Sequence, residues 1–263
     1  MALKPPVWTW EVPAYFAVGG IAGTAGIIAG VGDLFRVDPL LVRDATWVAF
    51  AGAAISPLLL ISDLGRPERF HHMLRVFKPQ SAMSMGVWTL VVFSAAITAL
   101  IALWLFAPAS TTLRGIRAAL DVTVAVLGGI LATYTGVLLG ATSIPIWAQH
   151  ARWLPVHFGA SSLGAGAAII ELIGHRVAAL NAVAIVAATV ETIVLVRFGT
   201  PSTRLAGVGN MLSGPAALAT RLLAIVLPMA RIAAGIAAVA GAVCTRFGWL
   251  EAGRRIDRGT RDY

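Results

Sequence analysis

The chain has 263 residues, of which 58% are hydrophobic and only 12% are charged, and its formal net charge is +8. Soluble domains carry about 25% charged residues, so this chain has too little polar surface to coat a globule in water. Its basic residues interrupt apolar runs, which favours anchoring at membrane interfaces over binding to nucleic acid. The single cysteine, Cys244, excludes an internal disulfide framework, a thiolate zinc site and a cysteine-ligated iron–sulfur cluster.

Apolar runs follow one another along almost the whole chain. About 20 helical residues are needed to cross roughly 30 Å of hydrocarbon. Runs of that size lie near 13–32, 43–62, 84–106, 118–142, 154–174, 177–197 and 228–247. Because lipid cannot satisfy open strand edges, the sequence predicts an all-α integral membrane protein. We expect a polytopic bundle of seven to eight transmembrane helices that forms a single membrane domain over residues 1–263.

The segment 202–227 does not fit this pattern cleanly. It contains Arg204, Asn210, Pro215 and Arg221 among its apolar residues. The segment fits an interfacial amphipathic helix, a half-spanning hairpin or a short eighth crossing. Which side of the membrane receives the basic tail depends on this choice, so the positive-inside rule does not settle the orientation.

Several polar residues converge at one membrane level, called side A here, where the first helix begins. Alternating helix directions place six of them there: Tyr15, Asp63, Arg66, Tyr134, His150 and His157. Tyr134 precedes Thr142, at the end of the fourth helical run, by about 12 Å of helical rise, so its hydroxyl lies below the surface. The alternation of crossings predicts this convergence without reference to any family.

This set of residues suits a quinone. A quinone head needs hydrogen-bond donors for two carbonyl oxygens, and quinol oxidation must also release protons. Tyr15 and Tyr134 supply hydroxyl groups on apolar rings, while Asp63 and Arg66 supply a proton acceptor and a fixed positive charge. The alternative is that a tyrosine near a helix end is an interface anchor, and that alternative fits Tyr15 better than the deeper Tyr134.

Three carboxylates lie within predicted membrane helices and are candidates for a proton relay. They are Glu191, Glu171 and Asp121. Intramembrane charges are costly and therefore often functional. Glu191 is flanked by apolar residues, whereas Asp121 and Glu171 lie near helix ends, where solvation at the interface is the simpler interpretation. A structural hydrogen bond to a neighbouring helix is the alternative for Glu191. Histidines are not paired inside helices at matching depth, so we expect no haem and no metal site.

The stretch "DLGRPERFHHMLRVFKPQSAMSMGVW", Asp63–Trp88, resembles the signature of the NrfD/PsrC family, the membrane subunits of polysulfide reductase-like molybdopterin oxidoreductases. The stretches "PAYFAVGGIAGTAG", "ATYTGVLLGATSIPIW" and "TRFGWLEAGR" are similar to the same family. The resemblance implies eight helices in two four-helix bundles, one over about 13–142 with the quinone site and a second over about 154–247.

The resemblance also implies a function and partners. Such a subunit carries no haem or iron–sulfur cluster and passes electrons between menaquinone or ubiquinone and a four-cluster ferredoxin-like iron–sulfur subunit. That subunit in turn serves a catalytic molybdopterin subunit in anaerobic respiration. The location implied is the inner (cytoplasmic) membrane of a bacterial or archaeal cell.

Individual residues carry the family pattern with two departures. Tyr134 matches the tyrosine of the family's fourth helix, while Tyr15 aligns with a histidine position and Val12 with an asparagine position. Arg69, Arg75 and Lys78 are the residues that we expect to dock the partner. Two alternatives stay open: a proton-coupled small-solute or ion transporter that uses Glu171 and Glu191, and a passive membrane anchor. Against a transporter, the sequence shows no inverted repeat and no pair of helices broken at matching positions.

Overall fold

The structure is a computed structural model that describes residues 8–107, 113–199, 201 and 203–259, without the side chains of residues 69, 73 and 255–259. The helices in chain order are α1 Glu11–Leu34, α2 Pro39–Ser62, α3 Ala82–Phe106, α4 Arg114–Gly140, α5 Pro145–Gln149, α6 Leu154–Ile173, α7 Ala178–Phe198, α8 Arg204–Ser213, α9 Pro215–Val226 and α10 Ala230–Gly259. A 3₁₀ helix, Pro67–Leu74, lies between α2 and α3. The described residues contain no strand, which confirms the all-α prediction.

Seven of these helices are long and apolar enough to cross a membrane: α1, α2, α3, α4, α6, α7 and α10. They coincide with the seven apolar runs of the sequence and extend several of them at their ends. The helix α2, for example, begins at Pro39 because the Asp38 carboxylate accepts a hydrogen bond from the Leu40 backbone N–H at 3.0 Å. The chain is therefore a multi-pass membrane protein.

The helix α1 lies at the centre of the fold and packs against α2, α4, α6 and α10. Its closest approach is to α4, where a Cβ atom on Gly23 would lie 2.4 Å from the carbonyl oxygen of Gly128. A Cβ atom on Gly128 would lie 2.3 Å from the carbonyl oxygen of Gly23. Only glycine at both positions lets the two backbones touch, as in small-residue packing of membrane helices.

The chain between α7 and α10 crosses the bundle from side A to side B. Phe198, at the end of α7, stacks on Trp153 at the start of α6, with ring centroids 3.9 Å apart, so α7 ends on side A. Arg231, at the start of α10, donates a hydrogen bond of 2.6 Å to the carbonyl of Arg176, which precedes α7 on side B. Residues 199–229 must therefore pass from one side to the other.

Two half-helices make this eighth crossing. The helix α8 runs antiparallel to the last part of α10, because Ala206 lies against Gly248 and Ser213 against Gly241. The helix α9 continues towards side B. With 10 and 12 residues, α8 and α9 together rise about 33 Å, enough for the hydrocarbon core. The break falls at Gly214 because Pro215 cannot continue the preceding helix. Of the three alternatives for 202–227, the structure selects a crossing.

We call α1, α2, α3 and α4 the first bundle, and α6, α7, α8 with α9, and α10 the second bundle. The two bundles meet where α1 packs against α6 and α10 and where α4 packs against α6. The short helix α5 packs against α4 and α10 on side A and joins the two bundles there.

Candidate functional site

Tyr15 and Tyr134 lie inside the first bundle and are only 2% and 7% exposed. The two phenol groups are close enough to interact electrostatically. Tyr15 packs against Gly19, where an added Cβ would lie 3.2 Å from Cε2 of the tyrosine ring. Tyr134 covers Gly86 on α3, where an added Cβ would lie 1.8 Å from Cζ of the ring. The glycine at position 86 therefore makes the room that Tyr134 occupies.

The hydroxyl groups of this tyrosine pair have no hydrogen-bond partner among the described residues. Within the described part of the chain, neither Tyr15 nor Tyr134 makes a hydrogen bond through its hydroxyl. The Ser56 hydroxyl, fully buried on α2 beside the Tyr15–Gly19 contact, also lacks a partner among these residues. Buried polar groups are normally hydrogen-bonded, so these three hydroxyl groups are available to bond a ligand or a water molecule.

An apolar cavity of about 260 Å³ lies between α2, α3 and the 3₁₀ helix. Leu90, one of its lining residues, belongs to the same buried hydrophobic cluster as Tyr15. The other lining residues are almost all apolar. Buried hydroxyl groups and an apolar cavity in one bundle suit a ligand that has a flat polar-substituted ring and a long apolar chain.

The Asp63 carboxylate closes the side A end of α2 onto the start of the chain. It accepts hydrogen bonds from the Thr9 backbone N–H at 3.1 Å and from the Thr9 hydroxyl at 2.5 Å. Glu11 also contacts the Thr9 hydroxyl. Among the described residues no hydrogen bond joins Asp63 to either buried tyrosine. Asp63 thus lies at the rim and positions the segment before α1.

The basic residues of the loop after α2 face outwards. Arg66, Arg75 and Lys78 are exposed around the 3₁₀ helix, while the side chain of Arg69 lies outside the described residues. The backbone N–H of Lys78 donates to the Ser84 hydroxyl at 3.0 Å, which fixes the end of the loop against the first turn of α3. The loop therefore presents positive charge at side A above the cavity.

Glu191 pairs with His157 inside the second bundle. Nδ1 of His157 lies 3.2 Å from Oε1 of Glu191, and the two side chains are 4% and 1% exposed. The contact has ion-pair distance without hydrogen-bond geometry, so both groups keep unsatisfied hydrogen-bonding atoms. Glu191 lies within the membrane-crossing helix α7, as the sequence predicts. The sequence does not indicate that His157 is its partner.

Glu171 is deeply buried, so the expectation that it is solvated at the interface is wrong. It is 3% exposed and forms an ion pair with Arg221, which is fully buried on α9. Asn181 on α7 accepts a further, long hydrogen bond of 3.4 Å from Arg221. The physical reason is the half-helix α9, which brings Arg221 to the side B end of α6, where it neutralises the carboxylate.

A small cavity connects the two buried pairs. Its volume is about 10 Å³, which is near the minimum for one water molecule, and both Glu191 and Arg221 line it together with Ser161 and Ser213. Nε and Nη2 of Arg221 lack hydrogen-bond partners among the described residues. The second bundle therefore contains a buried series of charged and polar groups that runs from His157 to Glu171.

Arg246 joins the two bundles, although the sequence places it only as the first arginine of the basic tail, Arg246–Arg261. It is 1% exposed, and its Nε donates to the Phe16 carbonyl of α1 at 3.0 Å. Its other nitrogens donate to the Phe158 and Ala242 carbonyls and to the Ser161 and Ser162 hydroxyls. The signal in the sequence was the uncharged stretch that runs from Ile232 up to Arg246.

Asp121 is 4% exposed, so the expectation of interfacial solvation is also wrong for this residue. Its carboxyl group lies close enough to that of Asp33, at the end of α1, to interact electrostatically. This carboxyl pair lies on side B of the first bundle, whereas Glu191 and Glu171 lie in the second bundle. The three carboxylates predicted as one set of relay candidates therefore form two separate groups.

Comparison with known proteins identifies the family. The profile of the NrfD-type polysulfide reductase family matches residues 4–255, nearly the whole chain. No curated protein matches the sequence. Members of this family are membrane subunits of oxidoreductase complexes. The eight-crossing helical fold agrees with the resemblance carried by the loop after α2. The chain belongs to the NrfD-type polysulfide reductase family.

Proposed function

We propose that this protein is the quinone-reactive membrane subunit of an oxidoreductase complex. The observation that carries the proposal is a pair of buried tyrosines whose hydroxyl groups have no partner among the described residues, in a helix bundle that also contains an apolar cavity. The quinone is menaquinone or ubiquinone, and the chain itself holds no other redox group in this proposal.

The tyrosines bind the head of the quinone. Each hydroxyl of Tyr15 and Tyr134 donates to one quinone carbonyl oxygen, and the isoprenoid chain leaves through the cavity between α2 and α3. Oxidation of a quinol releases two electrons and two protons. The electrons pass to a four-cluster iron–sulfur subunit, and the protons leave at side A, where Asp63 is an acceptor at the rim with Arg66 beside it.

The loop after α2 is the proposed docking surface. Arg66, Arg75 and Lys78 are exposed there, and Arg69 belongs to the same loop. Positive charge steers an acidic partner and brings its first cluster above the tyrosines. A molybdopterin subunit completes the complex, which lies in the cytoplasmic membrane of a bacterial or archaeal cell.

Substitution of the tyrosines tests this function. Tyr134→Phe removes one donor and keeps the ring, so we expect quinol-dependent reduction of the purified complex to fall about tenfold to a hundredfold. Thr133→Val is the matched control, because it removes a neighbouring hydroxyl that is already bonded to the Gly129 carbonyl at 3.0 Å. Unchanged activity in Tyr15→Phe/Tyr134→Phe would falsify the proposed site.

A proton relay in the second bundle is a second candidate function. The pairs Glu191–His157 and Glu171–Arg221 share one small cavity, which gives protons a chain of polar groups. Asp121 belongs to the separate pair with Asp33 and would serve side B. In proteoliposomes, Glu191→Gln should abolish quinol-driven proton movement while electron transfer continues. Proton movement at the rate of the unaltered complex would contradict the relay.

A solute transporter remains the rival explanation of these charges. The structure does contain one crossing broken into half-helices, α8 and α9, as transporters often do. The corresponding third crossing of the first bundle, α3, is continuous from Ala82 to Phe106. Purification discriminates the two functions, since a transporter comes out alone and an electron-transfer subunit comes out with iron–sulfur and catalytic partners.

A further inference from the structure

A second cavity lies on side B of the first bundle, at the end opposite to the tyrosines. It measures about 360 Å³ and is lined by Asp33 of α1, Arg43 of α2, Trp104 of α3 and Arg117 of α4, with apolar residues of the first turn of α2. All four polar or aromatic residues belong to the side B ends of membrane-crossing helices. The cavity therefore lies at the level where lipid headgroups meet the hydrocarbon.

Both arginines have guanidinium N–H groups that bond to no acceptor among the described residues. Arg43 uses Nε on the Asp44 carboxylate at 3.0 Å, and about half of its side chain is exposed. Among the described residues the Arg117 guanidinium donates no hydrogen bond, although it lies close enough to Asp121 to interact electrostatically. Guanidinium groups bind phosphate oxygens through parallel N–H donors, and basic pockets between membrane helices bind lipid headgroups. Together the arginines offer a site for one phosphodiester.

The acidic residues near the cavity balance these arginines. The Asp33 carboxylate lines the cavity together with the Arg43 and Arg117 guanidinium groups. The Asp44 carboxylate lies beside Arg43 and is 2.8 Å from Nε2 of His175. The cavity therefore presents groups of both signs, which suits a ligand that carries both a negative and a positive group.

We propose that this cavity binds the headgroup of an aminophospholipid. The phosphodiester lies between Arg43 and Arg117, and the primary ammonium group donates hydrogen bonds to Asp33. One acyl chain runs down past Trp104 between α2 and α3, where the helices face lipid. A zwitterionic headgroup satisfies both the arginines and the carboxylate, whereas an anionic headgroup leaves Asp33 opposite a phosphate without an ammonium partner.

Lipid competition with defined headgroups tests the proposal. The complete complex is exchanged into nanodiscs of equimolar phosphatidylethanolamine, phosphatidylcholine and phosphatidylglycerol with identical acyl chains, and retained lipids are measured by native mass spectrometry. We expect phosphatidylethanolamine to be enriched about tenfold over phosphatidylcholine, whose quaternary ammonium has no N–H donor. Arg43→Gln/Arg117→Gln should abolish retention, and Asp33→Asn should make the ethanolamine and choline lipids equal.

Matched variants separate this site from general surface charge. Arg36→Gln/Arg114→Gln removes the same charge from side B outside the cavity and should leave the enrichment unchanged. Arg43→Lys/Arg117→Lys keeps the charge and should retain part of the lipid even if the glutamine variant folds poorly. Retention in bath proportions, a preference for phosphatidylglycerol, or equal retention in the glutamine variant and its control would overturn the proposal. Displacement of the lipid by micromolar phosphoethanolamine would show a site for the free headgroup and overturn it as well.

Discussion

The buried polar groups of the two bundles differ in chemical type and in whether they are paired. At the side A site of the first bundle the groups are neutral hydroxyls, Tyr15, Tyr134 and Ser56, and they have no partner among the described residues. In the second bundle the groups are ionisable and lie in pairs, Glu171 with Arg221 and Glu191 with His157. Leaving a buried hydroxyl group unpaired until a ligand binds costs little free energy. Leaving a buried charge unpaired costs much more, so its counter-charge must be present in the folded protein itself. Burial alone therefore does not distinguish a ligand site from a structural pair.

The largest difference between the two bundles is expected when one partner of a buried ion pair is removed. Arg221→Leu leaves Glu171 buried without a counter-charge, so we expect a loss of about 3–5 kcal/mol in stability. Thermal denaturation of the purified complex measures it. Arg204→Leu, at the exposed start of α8, is the matched control. The double variant Glu171→Leu/Arg221→Leu should recover most of the loss. If it is no more stable than Arg221→Leu alone, the pair does not carry the effect.

The corresponding change in the first bundle should affect activity more than stability. In Gly86→Ala the new methyl group would overlap the Tyr134 ring, which must move. A displacement of about 1 Å from the reacting position can cost about a hundredfold in rate, so we expect that loss in quinol oxidation. Gly115→Ala, where nothing lies within 4 Å of the added atom, is the control. Full quinol activity in Gly86→Ala would show that the tyrosine position is not critical.

A smaller effect is expected where α8 is attached to α10. The Thr245 hydroxyl donates to Oδ1 of Asn210 at 3.0 Å, and both side chains are buried. Thr245→Val leaves the Asn210 oxygen without this donor, so we expect a loss of about 1–3 kcal/mol in stability. The comparison variant Thr98→Val lies on α3, where the hydroxyl bonds only within its own helix. Equal melting temperatures of the two variants would contradict a tertiary role for this bond.

The smallest effect should come from the contact between the bundles on side B. Nε2 of His175 lies 2.8 Å from Oδ2 of Asp44, and the side chains are 15% and 23% exposed. Partly solvated pairs of this kind contribute about 1 kcal/mol or less. A double-mutant cycle with His175→Gln and Asp44→Asn measures the coupling directly. A coupling energy as large as that of Glu171 and Arg221 would erase the distinction between exposed and buried pairs.

The sequence predicted most of the fold because lipid imposes a simple length rule. All seven long helices were identified from apolar runs, and alternating helix directions placed Tyr15 and Tyr134 on the same side. The sequence does not predict the eighth crossing, because Gly214–Pro215 splits its residues and Arg221 lies among them. Neither half satisfies the length rule alone, and only packing against α10 shows that they continue one another.

The candidate site was harder to predict than the fold. The sequence placed Glu171 and Asp121 near helix ends and favoured solvation, but burial depends on neighbours that lie far away in the chain. Glu171 is paired across 50 positions, with Arg221. Arg246 was misassigned for the same reason, since its partners Phe16 and Ser161 lie in other helices. The local sequence pattern predicts how deep a charged residue lies in the membrane. It does not predict which residue of another helix pairs with it.

The half-helix α9 also constrains how the protein is made. It has 12 residues and carries a fully buried arginine. An arginine at the centre of a helix opposes insertion by about 2.5–3.5 kcal/mol, and a segment this short cannot offset it alone. Its counter-charge, Glu171, is synthesised 50 residues earlier, so we expect α6 to be in the membrane before α9 leaves the ribosome. Insertion of α9 is therefore expected to depend on a preceding helix, so that synthesis order and charge pairing together determine the final topology.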